Sequence, residues 1–492
     1  LMQMMKWSVM ALAIAAATTQ LAYAADETMT NDDAKDIGTE QLAQGMEGSS
    51  QAQSNGFIED SDLALLSRNF AFQRDFKNNT SYNDDGVKDS QNQINEWGQA
   101  EMLTFTSGYT QGTVGFGVDA FANGAVRLNG GGGTGGSATL PTNGSHCDDI
   151  TGSCQGQDSY GLAGGAVKVR ISETELKAGD LMPQSPVFGT SDGYLMPQHT
   201  NGMMFNSAEI KDLALQGGRF TSGTADNSTN RDGNIGSAYG ATRVDSASYI
   251  GGDYTFSDTL SGGLHASNYE DLWKQYYLDL YHTLALGEET SLKSSINYYK
   301  TDDAGDARGG KINNDAFSMA MALTTGAHTF TLAHQRINGN TPFDYLGISG
   351  QNGANNGGKG YNFGGSIWLA NSSQWGDFNS PGEKSYKLQY DLDASTLGVP
   401  GLSFMARYVT GTDADGTGAD LNGAYSAYAD MQNGEEWERD IQVAYVLQEG
   451  PAKDLSFKLR QATYRGNSDI GINSGADEDE IRFITEYPLD IL

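Results

Sequence analysis

From Phe57 to its C-terminus the chain alternates apolar and polar residues with a period of two, and no stretch approaches 18 consecutive apolar residues. A period of two is the geometry of a strand, whose successive side chains point to opposite faces. The missing apolar run excludes transmembrane helices, each of which needs ~20 such residues. Val114, Phe116, Val118 and Ala120 share one face against Gly115, Gly117 and Asp119. Tyr386, Leu388, Tyr390 and Leu392 oppose Lys387, Gln389 and Asp391, and Leu455, Phe457 and Leu459 oppose Ser456, Lys458 and Arg460. An all-β fold follows, either a soluble sandwich or a closed transmembrane barrel.

The rest of the pattern favours the barrel. Segments of ~10 residues with one apolar face, joined alternately by tight turns and long polar loops, are its signature. Ser257-Asp258 and Gly326-Ala327 read as tight turns; 78–95, 129–159, 225–245, 339–365 and 413–435 read as long loops. Tyrosine is abundant (24) and sits near strand ends, as an interfacial girdle requires. Proline is scarce (9), as a continuous hydrogen-bonded ladder requires. A mean hydropathy of −0.47 is no objection, because a barrel needs one apolar face only.

Residues 1–24 read as a secretory signal peptide: Lys6, a short apolar stretch from Trp7, and Ala22-Tyr23-Ala24 before the expected cleavage point. Residues 25–56 are polar and aperiodic and read as a mobile N-terminal periplasmic segment, leaving 57–492 for the barrel. The net charge of −32 argues against nucleic acid as a partner. The two cysteines, Cys147 and Cys154, stand in a Gly-rich stretch; a small loop disulfide suits an oxidising compartment, and free thiols or half a metal site are the alternatives.

Several blocks carry a resemblance. Gly56-Phe57-Ile58-Glu59-Asp60-Ser61, Arg68-Asn69, Arg74-Asp75-Phe76, Glu96-Trp97-Gly98-Gln99, Leu195-Met196-Pro197-Gln198, Asp377-Phe378-Asn379, Glu438-Arg439-Asp440 and Glu486-Tyr487-Pro488-Leu489 resemble, in order, the OprD-type substrate-specific outer-membrane porins. The resemblance implies a transmembrane antiparallel β-barrel of 18 strands with an inward-folded constriction loop, here around Leu181-Met182-Pro183. It implies passage of small carboxylate-bearing solutes along a ladder of basic side chains, and residence in the outer membrane of a Gram-negative bacterium beside lipopolysaccharide. The Gly-rich stretch 129–155 and the Ile491-Leu492 end depart from the family pattern.

The residues themselves bear on that ladder. Parity puts Lys168, Arg170, Lys387, Arg407, Lys458, Arg460 and Arg482 on the polar faces of their strands, while Arg68 and Arg74 share parity with Phe70 and Phe72, so their side is open. A lipid-facing Arg near the midplane costs ~2–4 kcal/mol, which favours the lumen. Guanidinium groups there can bind a carboxylate bidentately and hand it on. Alternatively they neutralise wall carboxylates such as Asp440 and Glu486 and brace the barrel. Asp192 and Tyr194 are loop candidates at the constriction, and Asp344 is a candidate for holding a substrate ammonium.

Other chemistry finds little footing. Gly189-Thr190-Ser191-Asp192-Gly193 has the spelling of a nucleophile elbow but lacks the strand–turn–helix context that exposes the serine. The six histidines show no zinc-ligand spacing, and no cofactor or metal is expected. The expectation is therefore a non-enzymatic porin for passive uptake of amino acids, organic acids or aromatic acids, associating at most as a weak homotrimer. Channels for neutral oligosaccharides or for general diffusion, and less so a barrel enzyme, are the rival readings.

Overall fold

The computed structural model of the protein describes residues 50–77, 93–130, 132–147, 154–350, 360–470 and 477–492. The signal peptide and residues 25–49 lie outside the described residues. Eighteen antiparallel strands form one sheet, running from Asp62–Phe76 to Glu478–Asp490. The first strand pairs both with Gln93–Thr106 and with the last strand, Arg68 standing opposite Glu486, so the sheet closes on itself. Closure removes the edges and leaves every ladder N–H and C=O paired, the condition for crossing lipid with strands.

Burial follows the alternation strand by strand. In Trp273–Ala285, Trp273, Gln275, Tyr277, Asp279 and Tyr281 are buried while Lys274, Tyr276, Leu278, Leu280 and His282 are exposed. The exposed set on other strands is also large and apolar, with Phe116, Ile250, Leu264, Met321, Leu332, Leu388, Leu459 and Phe483 all facing outward. That outer belt suits lipid tails, and Tyr254, Tyr276, Tyr298, Tyr386, Tyr408 and Tyr445 stand on the same face.

Short turns gather at one end. Ser172-Glu173, Lys211-Asp212, Asp258-Thr259 and Gly326-Ala327 each join two strands there. The long connections leave from the other end. The short-turn end also receives the chain's start. A single 3-10 turn, Gln51–Gln53, docks on it: the Gln51 N–H donates to Ser172 O at 2.8 Å, and its amide donates to Thr110 O at 2.9 Å and Gly112 O at 3.1 Å. Residues 50–56, expected to be mobile, are thus fixed to the barrel floor.

A small hairpin pairs Thr142–Cys147 with Cys154–Gly156 among the long loops. Cys154 is disulfide-bonded, and Cys147, the chain's other cysteine, is its register partner.

Candidate functional site

Two long connections fold into the lumen. The first, between strands Thr174–Leu181 and His199–Ile210, spans it from wall to wall. On one side Val187 and Phe188 are fully buried, with Phe188 stacked on Phe220 at 4.7 Å and on Tyr249 at 5.8 Å. Tyr299 donates to Pro186 O at 3.1 Å. On the other side Leu195 and Met196 pack with Phe70, Phe72, Ile94 and Leu140. Gly98 makes this approach possible, because a Cβ there would lie 2.4 Å from the Leu195 side chain. This is the inward loop expected from the sequence, and the elbow-like Gly189–Gly193 stretch lies within it.

The second insertion was not foreseen. Residues 364–379, part of the connection between strands His328–Gly339 and Lys384–Asp393, run along the inner wall. The Trp368 N–H donates to the Tyr299 hydroxyl, Ala370 N–H to Ser318 Oγ, Asn371 N–H to Gln335 Oε1, and Trp375 and Gly376 N–H groups to the Glu438 carboxylate. The two insertions meet where Gly365 N–H donates to Gly189 O at 2.8 Å. A run of Asn371-Ser372-Ser373-Gln374 beside a strand-sized gap is the sequence signal that marks such a polar, wall-hugging segment.

All nine basic candidates face the lumen. Arg68 and Arg74, left open by parity, lie on the inner face with Phe70 and Phe72. Arg68 is fully buried and grips three groups: both Asp192 oxygens at 2.6 and 2.9 Å, the Tyr194 carbonyl at 2.8 Å, and Glu486 at 2.6 Å. It ties the inward loop to the closing seam. Arg74 bonds Glu480 at 2.5 Å and lies over the Trp375 ring at 3.8 Å. Arg482 also bonds Glu480 at 2.5 Å and sits 5.2 Å from the Tyr194 ring centroid. Arg407 pairs with Asp440 at 2.7 Å, and Lys168 pairs with Asp119 at 2.7 Å.

The remaining candidates stand beside these. Arg460 donates to Gln442 at 2.6 Å and is the direct register neighbour of Arg482, so two guanidiniums stand side by side in the wall. Lys387 and Lys458 face the lumen from strands Lys384–Asp393 and Ser456–Gly466, which two others separate. Toward the short-turn end Arg170 lies over the Tyr109 ring at 4.0 Å and donates to Gln51 at 3.2 Å. Basic groups thus line the lumen on both sides of the insertions. At least five of the nine hold a carboxylate of the wall or loop, so bracing is a duty of this set whatever else it does.

Acidic groups crowd the long-loop side of the same wall. Tyr239, Trp375, Asp377, Tyr428, Glu436 and Tyr464 line a small cavity there, and Asp377 accepts from the Tyr239 and Tyr345 hydroxyls at 2.7 and 2.8 Å. Asp344, the ammonium candidate, lies elsewhere. It is buried and accepts the N–H groups of Ala238, Tyr239, Gly240 and Tyr345 and the Tyr425 hydroxyl, all within 3.0 Å. Those donors use its acceptor capacity, so Asp344 is a loop anchor, and burial pushes its carboxyl up to about 6. Among the described residues no group of three or more His, Cys, Asp or Glu could hold a metal ion.

Asp226 ties its own loop to two other loop segments and to the barrel strand Ser159–Ile171. It is buried, and its Oδ2 accepts from Gln198 at 3.0 Å and from Asn362 at 2.9 Å, while the Tyr160 hydroxyl donates to its carbonyl. Burial pushes the carboxyl up to about 7. A raised acid pKa means the folded loops hold the proton that the unfolded chain releases near pH 4. The loops are therefore firmest below that pH and loosen as pH rises through 7. Hydrogen exchange of residues 225–246 is expected to be slower at pH 5.5 than at pH 8 after correction for intrinsic rates. In Asp226→Asn that difference should shrink.

Comparison with known proteins bears on the whole chain. Residues 55–491 match the family described as "outer membrane porin, OprD family". The chain is similar to "Porin D" of Pseudomonas aeruginosa, 42% identical over 492 residues and the full length of both. It superposes on the crystal structure of Pseudomonas aeruginosa OprD with a TM-score of 0.73 and 40% identity, covering 90% of this chain and 99% of that one. It superposes equally, at a TM-score of 0.73 and 30% identity, on Pseudomonas aeruginosa OpdK with vanillate, covering 88% of this chain and 100% of that one.

Proposed function

Because the chain belongs to the OprD family of outer-membrane porins, channels for small solutes, we propose that its own solutes are small carboxylates, amino acids foremost among them. The observation that carries this is the adjacent pair Arg460 and Arg482, with Arg407 two strands further along, set in a wall whose long-loop side is acidic and aromatic. A solute with a carboxylate at one end and an ammonium at the other meets a matching partner at each. Vanillate in the related OpdK structure is itself a carboxylate, which supports the basic half of the reading.

Flux favours many weak sites over one strong one, since a solute that binds tightly does not leave. The ion pairs serve that end. Arg407 held by Asp440 and Arg482 held by Glu480 attract a passing carboxylate while remaining partly neutralised. In planar bilayers, arginine and benzoate are expected to produce discrete, concentration-dependent blocking of small unit currents, and glucose none. Blocking by neither charged solute would sink the proposal in favour of a neutral-sugar or general-diffusion channel.

A further inference from the structure

We propose that Arg336 and Lys384, on the outer face of strands His328–Gly339 and Lys384–Asp393, hold the phosphorylated headgroup of an outer-leaflet glycolipid at the long-loop rim. The two strands pair residue by residue, so their outward side chains form a double column: Leu332 opposite Leu388, His334 opposite Tyr386, and Arg336 opposite Lys384. The alternate residues Gln335 and Ser385 are fully buried in the lumen wall, so the column faces away from the pore. It climbs from the short turns toward the long loops, which in barrels of this kind is the direction from periplasm to cell surface.

The column has the order of an amphiphile. Leu332 and Leu388 are 63% and 57% exposed, a track for an acyl chain. Above them His334 stacks on Tyr386 with ring centroids 4.7 Å apart, and its Nδ1 donates to Ser385 O at 3.0 Å, which fixes the ring. Such rings mark the level of the lipid headgroups. Arg336 and Lys384 stand two residues beyond, about 7 Å of strand, at the height of headgroup phosphates.

Charge supplies the reason for an anion. Like charges directly opposite on one face of a sheet are destabilising. The chain has 62 acidic residues to 30 basic, yet Arg336 is exposed and, among the described residues, pairs with no carboxylate. Phe317 stands opposite it on the adjoining strand, and Asp315, diagonal to it, is engaged by Lys300 at 3.4 Å and by the Tyr298 hydroxyl. Lys384 has one exposed partner, Asp413, at 3.0 Å, so the group keeps a net positive charge. A phosphate between the two cations relieves their repulsion, and the guanidinium fork can take two of its oxygens. The rings and leucines beneath favour a phosphate that carries acyl chains over a free one.

Native mass spectrometry of the detergent-released full-length barrel tests this, with diphosphoryl lipid A titrated into delipidated protein. The parent is expected to take up the lipid, and the double variant Arg336→Gln with Lys384→Gln to need roughly thirtyfold more for half-occupancy, about fivefold per basic group. Lipid A stripped of its phosphates should bind both proteins equally weakly, and excess inorganic phosphate should not displace the phosphorylated form. Lys453→Gln, an exposed base at the short-turn end, should bind as the parent does. Without lipid the double variant should melt no lower than the parent, because it removes a repulsion, and lipid should raise its Tm less. Equal half-occupancy in parent and double variant would overturn the proposal, as would an equal loss in Lys453→Gln or displacement by inorganic phosphate.

Discussion

Replacing Arg68 with methionine is expected to lower the barrel's stability by ~3–5 kcal/mol and to raise its unit conductance. The side chain is fully buried and its guanidinium bonds Asp192, Glu486 and the Tyr194 carbonyl at once. Methionine fills most of the volume but removes the guanidinium that both buried carboxylates, Asp192 and Glu486, bond. Removing one partner of a buried pair costs far more than the pair contributes. The loss falls on the loop that narrows the pore, since Asp192 and Tyr194 belong to it. Chemical denaturation reads the first effect and planar-bilayer recording the second. The triple variant Arg68→Met, Asp192→Asn, Glu486→Gln should recover much of the stability, because it leaves no bare charge. If the single variant is as stable as the parent and conducts identically, Arg68 does not anchor the constriction.

Arg460→Gln should act in the opposite way, sparing the fold and weakening carboxylate recognition. Arg460 donates to the neutral Gln442 and neighbours Arg482, and a glutamine in its place can still bond that amide. A hydrogen bond to a charged group is worth ~1.5–3 kcal/mol, about one to two orders of magnitude in the concentration of benzoate that half-blocks the current. Salt should blunt the difference, as it does for any partly exposed charge. Arg74→Gln is the informative contrast. Arg74 is engaged with Glu480 and lies over Trp375, so its loss should cost more stability and less benzoate affinity. Equal half-blocking concentrations for Arg460→Gln and the parent would remove the basic pair from the recognition scheme.

The sequence carried the barrel because its period-two pattern is a direct image of inside and outside, and seven of the nine basic residues were placed by parity alone. Parity stopped at Asp62–Phe76 for a physical reason. Its inner face is covered by the inward loop, so Phe70 and Phe72 are as much at home there as Arg68 and Arg74. Where a lumen is filled by protein, the polar-in rule weakens. Partners were out of reach for a different reason: Arg68 and Glu486 are 418 residues apart, and no local pattern links them. Asp344 shows a second limit of local sequence. An acidic residue in a long loop invites a ligand role, yet four backbone N–H groups converge on it. The insertion 364–379 was hidden because it has no strand period and its hydrogen bonds go to side chains of distant strands.

The seam between the first and last strands has a kinetic consequence. Its contacts join the two ends of the described sheet, whereas the other strand pairs are hairpin neighbours or nearly so. Contacts of such sequence separation form late, after the intervening hairpins have shortened the search. Until then the nascent sheet has two open edges, and Arg68, which holds the inward loop through Asp192, lacks its Glu486 partner across the seam. Arg68 sits on that seam and on that loop, so its wall and its filter mature in one event. A refolding time course should show conductance-competent pores appearing in step with the closed barrel, with no wide-open intermediate between them.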